Sequence, residues 1–147
     1  MAELSSVKKT YISLGDHPVL SRTLSVFDRL QSIGQIIVIV SSEDVEKCWS
    51  EAITPYQFKT PIQVVAGGST RQKSVFCGLQ AMDKDVDWVV VHDAVRPFVT
   101  GTQIENCLSQ CKTFQAVALA VPVKDTIKIV DKDRFVVQTP ERQSLWA

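Results

Sequence analysis

Three observations predict a doubly wound α/β protein with a mostly parallel sheet covered on both faces. Short, mostly apolar runs recur along the chain: IIVIV (36–40), IQVVA (62–66) and WVVV (88–91). Segments with helical spacing separate them, the arrangement of crossover units that join parallel strands. The polar and glycine-rich clusters follow the runs directly, and in open parallel sheets ligands bind beyond the carboxyl ends of the strands.

In chain order, HPVLSRTLSVFDRLQSIG (17–34) reads as a helix. Pro18 suits its first turn, Leu20, Leu24, Phe27 and Leu30 share one face, and Gly34 ends it. QIIVIVSS (35–42) reads as a fully buried strand, and EDVEKCWSEAI (43–53) as a helix with acidic residues in its first turn. Strand IQVVA leads through Gly67-Gly68 into a helix over STRQKSVFCGLQAM (69–82). Strand DWVVVH (87–92) is followed by a loop, a helix around GTQIENCLSQCK (101–112) and strand AVALAVPV (116–123). DTIKIVDKDRFVVQTP (125–140) alternates in period two around Asp131-Lys132-Asp133, which predicts a β-hairpin. A two-stranded arm is marginal by itself and is expected to pack on a partner. One domain over 1–147, with an arm at about 124–142, is the predicted organisation. The first element is a helix and the last residues are LWA, so a sheet incomplete at both ends is expected.

Composition narrows the function. The 147 residues are 45% hydrophobic and 22% charged, with sixteen basic residues balancing sixteen acidic ones. Charges so scattered carry no electrostatic footprint for nucleic acid or an anionic membrane. No apolar run approaches the length of a membrane span, and MAELSSVKK (1–9) lacks the apolar core of a secretory leader. Cys48, Cys77, Cys107 and Cys111 have no paired metal-ligand spacing, and reduced thiols in a cytoplasmic protein are expected.

Two clusters at strand ends could carry chemistry. In AGGSTRQKS (66–74), Gly67 and Gly68 let backbone approach a ligand, and the following helix N-terminus offers free N–H groups. Arg71 and Ser74 would lie in the first turn or so of that helix. The competing reading is structural: Ser69 with Gln72 matches a capping box, and the glycines simply make the turn. In VVVHDAVRPF (89–98), Asp93 is placed to hold Mg²⁺ beside a nucleotide phosphate, with Arg96 pairing phosphate or orienting Asp93. Its competitor is an Asp93–Arg96 ion pair in a proline-closed turn. Lys8-Lys9 and the alternating Lys124, Asp125, Thr126 and Lys128 read as solvated surface, with Arg142 at a final helical turn. GxGxxG, GxxxxGK[ST] and GxSxG motifs are absent.

GGSTRQKSVFCGL, VVVHDAVRPF, PVKDTIK and TPERQSLWA stand in the order and spacing of the 2-C-methyl-D-erythritol 4-phosphate cytidylyltransferases. KKTYISLGDHPVLSRTL resembles the family's segment after its glycine-rich loop. Ribitol-phosphate cytidylyltransferases share the Gly-Gly and HDAVRP motifs, but PVKDTIK followed by RQSLW is more similar to the methylerythritol enzymes. The resemblance implies a Rossmann-like nucleotidyltransferase that joins CTP to methylerythritol phosphate, with Mg²⁺, releasing pyrophosphate in non-mevalonate isoprenoid synthesis. It implies cytidine recognition by Gly67, Gly68 and Ser74, Mg²⁺ ligation by Asp93, and a nucleotide pocket lined by Ala94. Lys9 resembles the lysine that steadies the triphosphate, and Thr126 and Arg142 resemble arm residues that bind methylerythritol phosphate across a homodimer. A cytoplasmic location, or a plastid one in a plant or alga, follows from the same likeness. The family's glycine-rich loop and its segment beyond Leu-Trp-Ala have no counterpart in these residues, so a truncated, non-catalytic remnant is the alternative expectation.

Overall fold

The computed structural model describes residues 8–147; the leader reading of the N-terminus rests largely on residues outside them. The chain divides into two compact units, Met1–Ser109 and Gln110–Ala147.

In the first unit, a 3-10 turn (Lys9–Tyr11) precedes a small antiparallel pair, β1 (Ser13–Leu14) and β2 (His17–Pro18). Helix α1 runs over Val19–Asp28. It buries Leu20, Leu24 and Phe27, as the spacing predicts. Its start and end differ from the expected 17–34. His17-Pro18 is drawn into the strand pair, and Asp28 is captured by the chain before the second parallel strand, accepting from the N–H groups of Lys59 (2.8 Å) and Thr60 (2.7 Å). Two polar residues lie on the buried stripe of α1 and each is satisfied: Ser21 donates to Ala52 O at 2.7 Å, and Thr23 to Ala94 O at 2.8 Å.

Strands β3 (Ile36–Val40) and β4 (Ile62–Ala66) pair in parallel, in register from Ile36 opposite Ile62 to Val40 opposite Ala66. A continuous helical segment joins them: a 3-10 turn (Ser42–Asp44), α2 (Val45–Lys47) and a π-type turn (Cys48–Ile53). Val38 packs with Leu20, Leu24, Tyr11, Cys48, Ala52 and Ile53 in the main core. Alternation sends Ile37 and Ile39 to the other face. There α3 (Arg71–Gln80) approaches so closely that a Cβ on Gly78 would stand 2.6 Å from Ile39 Cδ1. Only Val38 of β3 is buried, so the expectation of a fully buried strand is corrected: the flanking isoleucines and valines are half covered.

Two further predicted strands are corrected. Among the described residues 87–92 join no strand ladder, and of the predicted strand 116–123 only the end pairs, through an isolated bridge at Pro122. Val89 is 47% exposed, Val91 58% and Leu119 56%. Apolar character favours burial but does not supply a hydrogen-bonded neighbour, and among the described residues β3 and β4 pair only with each other. Among the described residues the predicted mostly parallel sheet is therefore two parallel strands, with the other pairs antiparallel.

Helix α4 (Gly101–Phe114) crosses the boundary between units. Thr100 and Gln103 form a reciprocal cap: Gln103 N donates to Thr100 Oγ1 (3.3 Å) and Thr100 N to Gln103 Oε1 (2.9 Å). In the second unit, β5 (Ile129–Val130) and β6 (Val136–Gln138) form the predicted hairpin. Asp131 organises its turn, its carboxylate accepting from the N–H groups of Asp133 and Phe135, both at 2.9 Å. Arg134 sits there at φ 68°. The chain end also pairs, with Val121 and Ala147 exchanging N–H···O bonds of 2.9 Å and Trp146 opposite Pro122. No helix among the described residues is long and apolar enough to cross a membrane.

Candidate active site

Gly67 and Gly68 follow β4 directly, and Gly67 N donates to Val40 O at 2.7 Å, extending the ladder by one residue. Neither glycine has a positive φ; what each needs is space. A Cβ at Gly67 would lie 2.8 Å from Ser74 Oγ, and one at Gly68 would lie 2.4 Å from Lys73 Cβ. The glycines thus let the loop fold against the first turn of α3. Ser74 locks that fold: its Oγ accepts from Gly68 N (3.1 Å) and lies 2.9 Å from Thr70 O, to which it donates. The helix cap is Thr70, whose Oγ1 accepts from Lys73 N at 3.2 Å. The Ser69–Gln72 capping box is therefore corrected by one residue; Ser69 instead accepts from the Lys73 ammonium at 3.3 Å.

Arg71 opens α3 and reaches the second cluster. Its Nη2 donates to Asp93 Oδ1 at 2.9 Å, while Arg96 Nε donates to Asp93 Oδ2 at 3.1 Å. The ion pair with Arg96 exists, but it is half of a three-residue arrangement. Arg71, followed by Arg96, holds the Asp93 carboxyl below the usual carboxylate range against a smaller opposing effect of burial. His92 Nε2 lies 3.0 Å from Arg96 O, closing the turn.

The loop carrying Asp93 is held from α1 rather than by strand pairing. Thr23 fixes Ala94 O, and the Phe27 ring lies 5.2 Å from that of His92. Ala94 packs on the main core. Sequence reasoning put Phe27 on the buried face of α1 without linking it to the site and did not single out Thr23; a hydroxyl within the apolar stripe 20–24–27 was the available signal.

The structure therefore brings Gly67, Gly68, Arg71, Ser74, Asp93 and Ala94 together. Lys9 is exposed and, among the described residues, makes no side-chain hydrogen bond with them. Its neighbour Lys8 is the one engaged at the carboxyl end of β3, donating to Ser41 Oγ (2.9 Å), Asp44 (2.5 Å) and Glu43 (3.2 Å). Thr126 and Arg142 lie in the second unit. There Arg142 Nη1 donates to Lys124 O at 3.1 Å, and Lys128 Nζ to Thr139 Oγ1 at 2.8 Å.

Among the described residues no three His, Cys, Asp or Glu side chains converge on a metal position. Asp93 is one hard oxygen donor with a third of its side chain exposed. That suits Mg²⁺, which commonly takes one or two carboxylates and completes its shell with water and substrate phosphate. The four cysteines are free, and burial pushes the Cys48 thiol up to about 11, far from a metal-binding or nucleophilic thiolate.

Comparison with solved structures places this arrangement in an α/β class. The chain superposes on 4-diphosphocytidyl-2C-methyl-D-erythritol synthase from Anaerococcus prevotii with a TM-score of 0.83 at 33% identity, covering 97% of this chain and 62% of that one. A second 4-diphosphocytidyl-2C-methyl-D-erythritol synthase structure gives 0.73 at 28% identity, over 95% of this chain and 67% of the other. The IspD family model, 2-C-methyl-D-erythritol 4-phosphate cytidylyltransferase, matches residues 3–147, and the chain belongs to that family. Relatives of that name are 39% identical in Caldanaerobacter subterraneus and 44% identical in Alkaliphilus metalliredigens, each over 97% of this chain. The chain spans 63% and 59% of the lengths of those two relatives.

Proposed function

We propose that the chain carries the nucleotide-binding part of a cytidylyltransferase that makes CDP-methylerythritol and pyrophosphate from CTP and 2-C-methyl-D-erythritol 4-phosphate. The observation that carries this reading is the Arg71–Asp93 contact, which joins the Gly67–Ser74 loop to the carboxylate loop. The family membership and the named relatives support the substrate pair.

In this reading Gly67, Gly68 and Ser74 present backbone and hydroxyl groups to cytosine, and Ala94 lines the nucleotide pocket. Arg71 and Lys9 supply positive charge to the triphosphate, and Asp93 would hold Mg²⁺, which neutralises phosphate charge when bound. The substrate phosphate attacks the α-phosphorus and pyrophosphate leaves, so the protein's task is alignment and charge stabilisation. Thr126 and Arg142 bind the methylerythritol phosphate, and the Arg142 guanidinium supplies the positive charge that steadies its phosphate as the new bond forms. The sheet is the inner part of a doubly wound, Rossmann-like domain over 1–147, and the hairpin at 124–142 is a homodimerisation arm. Exposed Phe135, Val136 and Val137 on that arm favour a partner. The balanced charge and the family favour a cytoplasmic enzyme without nucleic-acid or membrane partners.

Calorimetric CTP binding with Mg²⁺, followed by pyrophosphate release with methylerythritol phosphate or ribitol phosphate, tests this. Expected are Mg²⁺-dependent CTP binding that Asp93→Asn abolishes, and release with methylerythritol phosphate only. Absence of Mg²⁺-dependent CTP binding overturns the nucleotide reading and favours a non-catalytic remnant. Release with ribitol phosphate alone overturns the choice of acceptor.

A further inference from the structure

Both oxygens of Asp93 carry a guanidinium: Arg71 on Oδ1 at 2.9 Å and Arg96 on Oδ2 at 3.1 Å. A divalent cation approaching this carboxylate meets two positive charges at hydrogen-bond distance from its ligand. The two arginines are not held alike. Arg96 shares a turn with Asp93, its N–H donating to Asp93 O at 3.0 Å and its carbonyl facing His92 Nε2 at 3.0 Å. Arg71 comes from a different element, its side chain is 75% exposed, and the Asp93 contact is its single side-chain hydrogen bond among the described residues. It also stands in the first turn of α3, immediately after the Gly67–Thr70 loop, and a helix N-terminus favours a phosphate's negative charge.

We propose that Arg71 is an exchangeable counter-cation. Its guanidinium holds Asp93 Oδ1 until a divalent cation competes for that oxygen, and the displaced guanidinium then turns to the nucleotide's phosphate. The exchange rests on the reading of Asp93 as the metal-nucleotide carboxylate. It differs from a fixed brace in sign. A brace that merely orients Asp93 helps metal and nucleotide alike. An exchanging arginine opposes the metal when it is alone and favours the nucleotide, because only phosphate gives the displaced charge a new partner. The coupling also means that metal bound without nucleotide is disfavoured, so the two bind cooperatively.

The test uses the 147-residue chain with Mn²⁺ as the probe, its free concentration read by electron paramagnetic resonance, and CTP affinity measured separately at saturating Mn²⁺. Arg71→Gln is expected to bind Mn²⁺ alone about two- to five-fold more tightly, the scale of one exposed charge contact. The same variant is expected to bind CTP about ten-fold more weakly, the scale of a lost charge-assisted hydrogen bond. Arg71→Lys, which keeps the charge, should fall between wild type and Arg71→Gln in both, excluding a folding defect. Asp93→Asn should abolish Mn²⁺ binding in either background. If Mn²⁺ binding requires Asp93 but is unchanged or weaker in Arg71→Gln, the exchange is refuted and the metal reading stands. If Mn²⁺ binding is absent, or indifferent to Asp93→Asn, the metal reading fails and the exchange with it.

Discussion

At the scale of single residues, side chains outside the candidate site fix where its residues stand. Asp28 closes α1 onto the chain entering β4. Burial opposes its charge, but the N–H donors of Thr60 and Lys59 outweigh that and hold its carboxyl below the ordinary value. A depressed folded value means that the stabilisation is present above the unfolded value of about 3.9 and is lost as pH falls through the folded one. Asp28→Asn is therefore expected to cost about 1 kcal/mol at pH 7. The difference should shrink below about pH 4, as compared by urea denaturation at both pH values. Thr23 and Phe27 act similarly on the Asp93 loop.

At the scale of elements, the site depends on how tightly the Gly67–Thr70 loop lies on α3. Gly68→Ala would place a Cβ 2.4 Å from Lys73 Cβ and 3.2 Å from its carbonyl carbon, and a helix backbone does not yield as a side-chain tip does. A loss of about 1–3 kcal/mol is expected from such overpacking, together with weaker CTP binding, by thermal melting and calorimetry. The opposite change is expected in the hairpin. Arg134 adopts a left-handed conformation that costs non-glycine residues about 1 kcal/mol. Arg134→Gly should therefore protect the arm's amides more strongly against hydrogen exchange.

For the molecule as a whole, apolar surface is the dominant feature. Val89, Val90 and Val91 are exposed in the first unit, and Phe98 is 83% exposed. An apolar run without a ladder partner is a template for association. Val91→Lys is expected to lower light scattering at high protein concentration while leaving the melting temperature within about 1–2 °C, since an exposed valine contributes little to the fold. An unchanged scattering profile would show that this run does not drive association.

Much of this was legible in the residues. Periodicity gave α1, β3, β4, α3, α4 and the hairpin, because amphipathic spacing reports which face of an element is buried. Motif likeness singled out Gly67, Gly68, Ser74 and Asp93, and position in the first helical turn added Arg71; the fold gathers them at one place. The exceptions share a cause. Residues 87–92 and 116–123 read as strands, yet a strand exists only with a neighbour, and pairing is a property of the whole chain rather than of a window. The second partner of Asp93 was equally hidden. Arg96, three residues away, could be read locally, whereas Arg71 arrives from 22 positions earlier through the turn that glycines and Ser74 make. Sequence by itself determined the family, the element types and the chemical groups on offer. Tertiary structure alone decided which charges meet, because the distance between Arg71 and Asp93 is set by how α3 packs on β3 and β4, and no local preference encodes it.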